Sequence, residues 1–258
     1  EELFARASVH LRTRLMMNEL ANSQEEVSMF NKRLRQMVKD RTARLADAME
    51  QLAKAKRDAE DTRYEILERL GTAAEYNDEE TGFHIRRTSQ CVYRLAKAMK
   101  LDEDTAQLFR LAAPMHDIGK MGIRDRILRK PSHLEHDEYE TMKQHAIIGA
   151  QILENPRTKL LHVAYEMARS HHEKWDGSGY PDGLKGKDIP LSARICSVAD
   201  VFDALTAGRI YRPNAYPIDE AVRKITTRAG TWFDEDVVEA FIIALPEILN
   251  DRTEIGIE

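Results

Sequence analysis

The first 70 residues contain neither glycine nor proline, the two residues that most strongly interrupt an α-helix. Fourteen basic and 13 acidic residues are interleaved along this stretch, which is typical of a long, solvated helix. A heptad seam of apolar residues runs through Val38, Leu45, Leu52, Ala59 and Ile66, joined by Val27, Leu34, Ala48 and Ala55. Polar residues interrupt the seam at Arg41, Thr62 and Arg69. The pattern predicts a parallel homodimeric coiled coil, because a lone polar helix is marginal without a partner. A single solvated helix is the alternative.

The composition of the 258-residue chain excludes several classes of protein. Apolar residues make up 42% and charged residues 32%, which argues against both a membrane protein and a disordered chain. The longest apolar run, residues 240–245, is too short to span a bilayer. The net charge of −5 lacks the positive excess of a nucleic-acid binder. Only two cysteines, Cys91 and Cys196, are present, which predicts buried, inert thiols in a cytoplasmic protein.

From about residue 72 onwards, the hydrophobic pattern has the period of amphipathic helices. The predicted helical segments are 83–99, 103–118, 137–154, 158–171, 192–206, 217–229 and 235–249. A loop rich in glycine, proline and aspartate separates two of them at 173–191, and no useful period-2 pattern occurs. The sequence therefore predicts an all-α fold, with a long N-terminal helix followed by a helical domain.

The extreme N-terminus has a different character from the rest of the long helix. Residues 1–14 resemble the last helix of response-regulator receiver domains, and the chain begins at Glu1 rather than at methionine. We therefore expect 1–14 to be the tail of a truncated receiver domain, 15–70 a helical linker and 71–258 the output domain. On this interpretation the missing receiver domain is a partner of the chain.

Histidines and carboxylates concentrate in the second part of the chain. The candidate metal ligands are Glu80, His84, His116, Asp117, His145, His171, His172 and Asp200. Imidazole and carboxylate are ligands for divalent first-row metals, and eight of them suit a cluster of two or three ions. Neighbouring residues on a helix point about 100° apart, so an adjacent pair can place one ligand on each of two ions. The two oxygens of a carboxylate such as Asp117 can bridge such ions.

Two strings within this set resemble a known family. The string HDIGK at 116–120 is similar to the signature of the HD phosphohydrolase superfamily, and HHEKWDGSGYP at 171–181 resembles the extended motif of its HD-GYP branch. The similarity continues through ADVFDALT at 199–206 and covers about residues 72–245. The chain is therefore identified as a member of the HD-GYP family, similar to response regulators with cyclic di-GMP phosphodiesterase activity.

The resemblance implies a metal-dependent hydrolysis of cyclic di-GMP to pGpG, and it leaves open whether the reaction stops there or continues to GMP. Iron or manganese would be the ions, with zinc, nickel or cobalt as alternatives. The resemblance places the core ions on the histidines and aspartates named above, and a third ion on Glu80 and His84. We expect a site with room for three ions, and otherwise a two-ion site. A hydroxide bridging the metals would be the nucleophile, because bound cations lower the pKa of water.

The resemblance also implies a set of substrate contacts. Lys120 is expected to bind a phosphate, beside Asp117 in the catalytic centre, and Tyr180 to line the substrate pocket. The remaining expected contacts are Arg209, Arg212 and Asp78. Asp203 is interpreted as a residue that orients a ligating histidine rather than as a ligand. His10, His133, His136 and His162 match no metal position and are expected at the surface.

Two other functions are compatible with the same motifs. The substrate could be another cyclic dinucleotide, such as cyclic GMP-AMP, since the ligand set does not select the base. Alternatively, the chain could be a signalling adaptor whose GYP loop docks diguanylate cyclases of the GGDEF type. Adaptors of this kind usually lose a metal ligand, and the sequence retains all of them.

Overall fold

The computed structural model describes residues 2–74, 82–207 and 215–254, and the side chains of 8–74, 83–207 and 215–253. Within these ranges the regular structure is helical, and the predicted all-α fold is confirmed. The α-helices are α1 (Glu2–Ala74), α2 (Gly82–Ala98), α3 (Glu103–Ala112), α4 (Asp125–Leu128), α5 (His136–Ile152), α6 (Lys159–Ser170), α7 (Leu191–Thr206), α8 (Ile218–Thr226) and α9 (Glu235–Glu254). No helix in the described ranges is long and apolar enough to cross a membrane.

The chain divides into two compact units, Glu1–Asp61 and Thr62–Glu258. The described residues of the first unit all belong to α1, and its apolar residues, such as Val27, Leu45 and Leu52, are exposed. The last turns of α1 belong to the second unit, because Leu67 and Ala74 are buried in its core. The predicted linker boundary at residue 70 therefore falls inside the last turns of this helix.

The core of the second unit is built around α2. This helix packs against α3, α7 and α9, while α6 packs against α3, α5 and α7. Val92 and Leu95 on α2 are fully buried, and the rings of Phe202 and Phe241 meet at 5.0 Å between centroids. Cys91 and Cys196 are buried as expected, and burial raises the pKa of both thiols. The helices that carry candidate ligands are thus held by ordinary apolar packing.

One predicted helix ends earlier than its hydrophobic pattern suggests. The segment 103–118 was expected to be continuous, but α3 ends at Ala112 and a 3₁₀ turn follows over Ala113–Met115. Pro114 explains the break, because proline has no backbone N–H to donate and clashes with the preceding turn of an α-helix. A second 3₁₀ turn covers Ile118–Gly122. His116 and Asp117 consequently lie between two 3₁₀ turns, and Lys120 lies within the second.

The second 3₁₀ turn approaches α5 unusually closely at Gly119. A Cβ atom built on Gly119 would lie 1.9 Å from the carbonyl oxygen of His145 and 2.4 Å from the backbone nitrogen of Gly149. Both contacts are with backbone atoms, which cannot move without displacing α5. Glycine at this position therefore allows the turn that carries Asp117 and Lys120 to lie against the helix that carries His145.

We predict that Gly119→Ala destabilises the fold by about 3 kcal/mol, because the added methyl group forces apart two packed backbones. Gly122→Ala is the matched control: the nearest atoms to its Cβ belong to the side chain of Ile148, at 2.9 Å, and not to the backbone, so the loss should be smaller. Urea unfolding of both variants in a chelator would measure the difference without a contribution from bound metal. Equal losses would contradict the assigned role of the Gly119 contact.

Candidate metal centre

The structure brings seven of the eight predicted ligands into one buried region, from elements far apart in the sequence. They are His84 on α2, His116 and Asp117 between the 3₁₀ turns, His145 on α5, His171 and His172 after α6, and Asp200 on α7. The eighth, Glu80, lies outside the described residues, as do Asp78, Arg209 and Arg212. The predicted contributions of these four residues therefore stay predictions.

The seven residues form two groups, each with the composition of a metal site. One group comprises Asp117, His145, His171 and His172, and the other His84, His116 and Asp200, with the ligand atoms of each group within 4.8 Å of one another. The pair His116 and Asp117 is divided between the groups. His171 and His172 lie in the same group. Helix geometry suggested that each adjacent pair would place one ligand in each group, and only the pair of His116 and Asp117 does so.

The carboxylate of Asp117 lies between the two groups. Its Oδ1 is 3.3 Å from Nε2 of His145 and 3.5 Å from Nε2 of His171, both in its own group. Its Oδ2 is 3.4 Å from Nε2 of His116 in the other group, and 2.9 Å from Nζ of Lys120. The two oxygens of this carboxylate thus face different sets of imidazoles.

In the second group, His84 lies closer to Asp203, which is outside the group, than to Asp200 within it. Oδ1 of Asp200 is 3.7 Å from Nε2 of His84 and 3.8 Å from Nε2 of His116. Nδ1 of His84 lies 2.7 Å from Oδ2 of Asp203, to which Nη2 of Arg87 also donates at 2.8 Å. Asp203 therefore orients His84 through its other ring nitrogen, as the sequence interpretation held.

Three other imidazoles of the two groups, those of His116, His145 and His171, are oriented by backbone carbonyls. Nδ1 of His116 donates to the carbonyl of Ala113 at 2.8 Å. Nδ1 of His145 donates to Met142 at 2.7 Å, and Nδ1 of His171 donates to Met167 at 2.9 Å. A histidine that donates from Nδ1 in its neutral form has a lone pair on Nε2, which is the form that binds a metal.

The residues present fit divalent metal ions. Nε2 of His116, His145 and His171 and Oδ1 of Asp117 are buried and form no hydrogen bond within the described part of the chain. Such atoms are costly when buried without a partner, and they are rare in folded proteins. A cation that accepts these lone pairs would remove the cost, and a set of imidazoles and carboxylates suits first-row divalent ions.

In this region burial lowers the pKa of two histidines, whereas nearby carboxylates raise the pKa of a third. Burial lowers the pKa of His145 to about 4, and it lowers the pKa of His172 well below its usual value. For His116, burial is outweighed by the carboxylates of Asp117 and Asp200, which raise its pKa to about 9. Lys120 and His116 keep the pKa of Asp117 well below its usual value despite burial. A bound cation would compete with the proton on His116, because both occupy Nε2.

A cavity of about 410 Å³ opens onto the two groups. Its inner end is formed by Asp117, Lys120, His145, His172 and Asp200. The ring of Tyr180 stacks on His172 with 4.8 Å between centroids and 28° between planes, and lines the cavity beside them. Lys120 and Tyr180, the two described residues that were expected to contact the substrate, therefore both line this cavity, and their contacts with a substrate stay predictions.

The loop that carries Tyr180 is fixed by a buried carboxylate. Oε1 of Glu173 accepts a hydrogen bond from the backbone nitrogen of Asp182 at 2.7 Å, and Oε2 accepts one from Leu184 at 3.0 Å. Arg169 adds a two-pronged ion pair to the side chain of Asp182. These contacts close the loop back onto the segment that follows α6, which holds the Tyr180 ring against His172.

The outer wall of the cavity was not identified from the sequence. It is formed by Ile127, Leu128, Lys130, Ser132, His133, Leu134, Tyr139 and Met142. The four histidines expected at the surface are exposed, but His133 also lines this wall. The sequence signal in this region is the basic run of Arg124, Arg126, Arg129 and Lys130, a pattern that on its own is typical of a solvated face.

The comparisons with known proteins agree with the fold and the motifs. Residues 14–237 match the family described as HD domain. A cyclic di-GMP phosphodiesterase of Thermotoga maritima is 46% identical over 191 residues, which are 74% of this chain and 52% of that protein. A 3′3′-cGAMP-specific phosphodiesterase of Vibrio cholerae is 40% identical over 76% of this chain and 37% of its own length.

Two further comparisons cover similar parts of the chain. The cyclic di-GMP phosphodiesterase response regulator of Xanthomonas campestris is 38% identical over 81% of this chain and 55% of its own length. The solved structure of a cyclic GMP-AMP-specific phosphodiesterase of V. cholerae has a TM-score of 0.56 and 21% identity, covering 74% of this chain and 52% of that one. This chain thus spans about half, or less, of the length of these relatives.

The family match covers most of the chain, and the HD and GYP motifs supply four of the seven described candidate ligands, His116, Asp117, His171 and His172. The chain belongs to the HD-domain family, within its HD-GYP branch.

Proposed function

We propose that this chain hydrolyses cyclic di-GMP to pGpG in a metal-dependent reaction, with GMP as a further product. The observation that carries the proposal is the carboxylate of Asp117, which faces two groups of metal-binding side chains at the inner end of an open cavity. The names of relatives at 46% and 38% identity support the substrate. The identity of the ions as iron or manganese is likewise a proposal, with zinc, nickel or cobalt as alternatives.

The seven described candidate residues would hold at least two ions. Asp117, His145, His171 and His172 would bind one, His84, His116 and Asp200 the other, and Asp117 would contact both. Divalent ions bound there would neutralise charge on the phosphodiester oxygens and supply an acidified water for hydrolysis. A third ion would require Glu80, whose position lies outside the described residues.

Two side chains would contact the substrate directly. Lys120 lines the cavity with its Nζ 2.9 Å from Asp117, so it would donate to a phosphate oxygen held beside that carboxylate. The ring of Tyr180, fixed against His172, would form the wall next to the scissile phosphate. Arg209 and Arg212 are proposed to meet the second phosphate, and Asp78 to contact a base.

A second candidate substrate is cyclic GMP-AMP, which the name of the V. cholerae relative at 40% identity favours. The adaptor alternative is disfavoured, because the described ligands complete two groups rather than leaving one broken. Docking of a GGDEF-type diguanylate cyclase at the GYP loop is compatible with catalysis and is proposed only as an additional role.

The function is tested by hydrolysis of cyclic di-GMP by anaerobically prepared protein supplied with Fe(II) or Mn(II). We expect turnover that a chelator abolishes. Asp117→Ala should lower turnover by about 1,000-fold or more and remove bound metal, because it deletes the carboxylate that faces both groups. Asp188→Ala, which alters an exposed aspartate in the 3₁₀ turn Gly186–Asp188, is the matched control and should behave as wild type.

Full turnover by Asp117→Ala with unchanged helical circular dichroism would contradict the metal assignment. Bound metal without turnover of cyclic di-GMP or cyclic GMP-AMP would contradict the enzymatic proposal and favour the docking role.

The third ion is tested by metal analysis of the isolated protein. We expect more than two ions per chain, falling by about one in Glu80→Ala while the activity of the two-ion site is retained in part. Two ions in both proteins would contradict a third site without affecting the two described groups.

The long helix is proposed to form a homodimer. Its apolar seam residues Leu34, Leu45 and Leu52 are exposed in the first unit, and a helix of this composition is marginal when it stands alone. The receiver-like segment 1–14 supports the further proposal that the chain is the output part of a cytoplasmic response regulator, as the name of the X. campestris relative suggests.

We predict that the double substitution Leu45→Asp with Leu52→Asp dissociates this dimer, because it places four carboxylates in the seam. Ala46→Asp with Ala53→Asp adds the same charge one residue further along the helix, outside the seam, and should leave the dimer intact. Multi-angle light scattering over a range of concentrations distinguishes these results. A wild-type monomer at all concentrations would favour the solvated-helix alternative.

A further inference from the structure

The cavity beside the metal-binding groups has a chemically distinct outer wall. Its inner end carries carboxylates, imidazoles and Lys120, whereas the outer wall is mainly apolar and aromatic, with Leu128, Leu134, Tyr139 and Met142 among its residues. A cyclic dinucleotide has the same division, because its phosphates are charged and its purine bases are flat and weakly polar. A phosphate at the inner end therefore directs a base towards the outer wall.

Tyr139 offers a surface on which such a base can stack. Its side chain is 47% exposed although it lines the cavity, and Nζ of Lys143 lies 5.5 Å from its ring centroid. The same ammonium lies 5.7 Å from the ring of Tyr180, so it sits between the two aromatic residues of the cavity. Aromatic rings stabilise stacked bases of any identity, so Tyr139 binds a purine without selecting it.

Lys130 is the polar group of this wall whose position is best fixed. Its Nζ lies 2.5 Å from Oε2 of Glu138, and both side chains are only partly exposed. Oε2 of Glu138 also accepts a hydrogen bond from the backbone nitrogen of Glu135, within the capping box that begins α5. The start of α5 therefore anchors the ammonium group at the cavity wall.

An ammonium group distinguishes the two purines. Guanine presents two acceptors, N7 and O6, along one edge, whereas adenine presents N7 as an acceptor and its 6-amino group as a donor. Lysine has only donors, so it can satisfy the guanine edge but faces the amino group of adenine with another donor. A lysine at the base site thus favours guanine over adenine.

We propose that Lys130 reads the guanine of a cyclic dinucleotide that stacks on Tyr139, and so gives the outer base site its specificity. The inference rests on the proposed function for its ligand class. It also explains how one site can accept cyclic GMP-AMP, because that molecule can present its single guanine to Lys130 in one of two orientations. Cyclic di-AMP contains no guanine and therefore cannot form this contact with Lys130.

The test compares cyclic di-GMP with cyclic di-AMP on the full chain, by kcat/KM and by equilibrium binding to chelator-treated protein. We expect Lys130→Met to lower the preference for cyclic di-GMP about tenfold in either measurement, through the loss of contacts to one base edge. Tyr139→Ala should weaken binding of both nucleotides to a similar extent. Cyclic GMP-AMP should respond to Lys130→Met as cyclic di-GMP does.

Two matched variants separate base reading from a structural effect. Glu138→Gln removes the charge that anchors Lys130 while glutamine can still serve in the capping box, so the preference should fall, but by less than in Lys130→Met, which removes the donor itself. Lys159→Met removes an exposed lysine that does not line the cavity and should have no effect.

An unchanged preference in Lys130→Met overturns the inference, as does an equal change in Glu138→Gln, which would assign the effect to the start of α5. These outcomes leave the proposed function intact whenever the wild-type protein hydrolyses cyclic di-GMP. Absence of hydrolysis contradicts the proposed function, while the binding preference still tests Lys130. Absence of both hydrolysis and binding of either nucleotide overturns both the proposed function and the role of Lys130.

Discussion

The site depends on one buried carboxylate. Asp117 is only 5% exposed, and its two oxygens face imidazoles of two different groups, with Lys120 as the nearest cation. A buried charge is costly unless it is paired, so the lysine and the bound ions that we propose must offset that cost. Several features of the fold place this carboxylate correctly, including the break of α3 at Pro114 and the close approach of Gly119 to α5.

A second buried carboxylate links the site to the core. Asp203 on α7 contacts His84 and Arg87 on α2 and Nη1 of Arg252 on α9 at 3.0 Å. Arg87 and His84 keep the pKa of Asp203 well below its usual value despite burial, so it stays charged. The three helices that pack in the core therefore also determine where the Nε2 atom of His84 points. Apolar packing and ligand geometry are coupled at this residue.

Much of the fold was predictable from local pattern, and the exceptions have physical causes. The all-α class and the positions of the amphipathic helices follow from hydrophobic periodicity. The hydrophobic pattern of 103–118 does not predict the 3₁₀ turns. Periodicity indicates which face of a helix is apolar, but it does not indicate where the backbone departs from α-helical geometry. The local signal of the break is Pro114, which cannot donate the backbone hydrogen bond that an α-helix requires.

The sequence by itself determined the ligand types, their motifs and the family, because the HD and GYP strings are local and chemically unusual. It also indicated that Asp203 orients a histidine. Only the tertiary structure decided how the ligands divide, since His171 and His172 share a group while His116 and Asp117 do not. It alone placed Lys130 and Tyr139 in the cavity wall. The packing of the helices determines which side chains face each other across a cavity. Contacts between segments far apart in the chain produce no periodic pattern in the sequence.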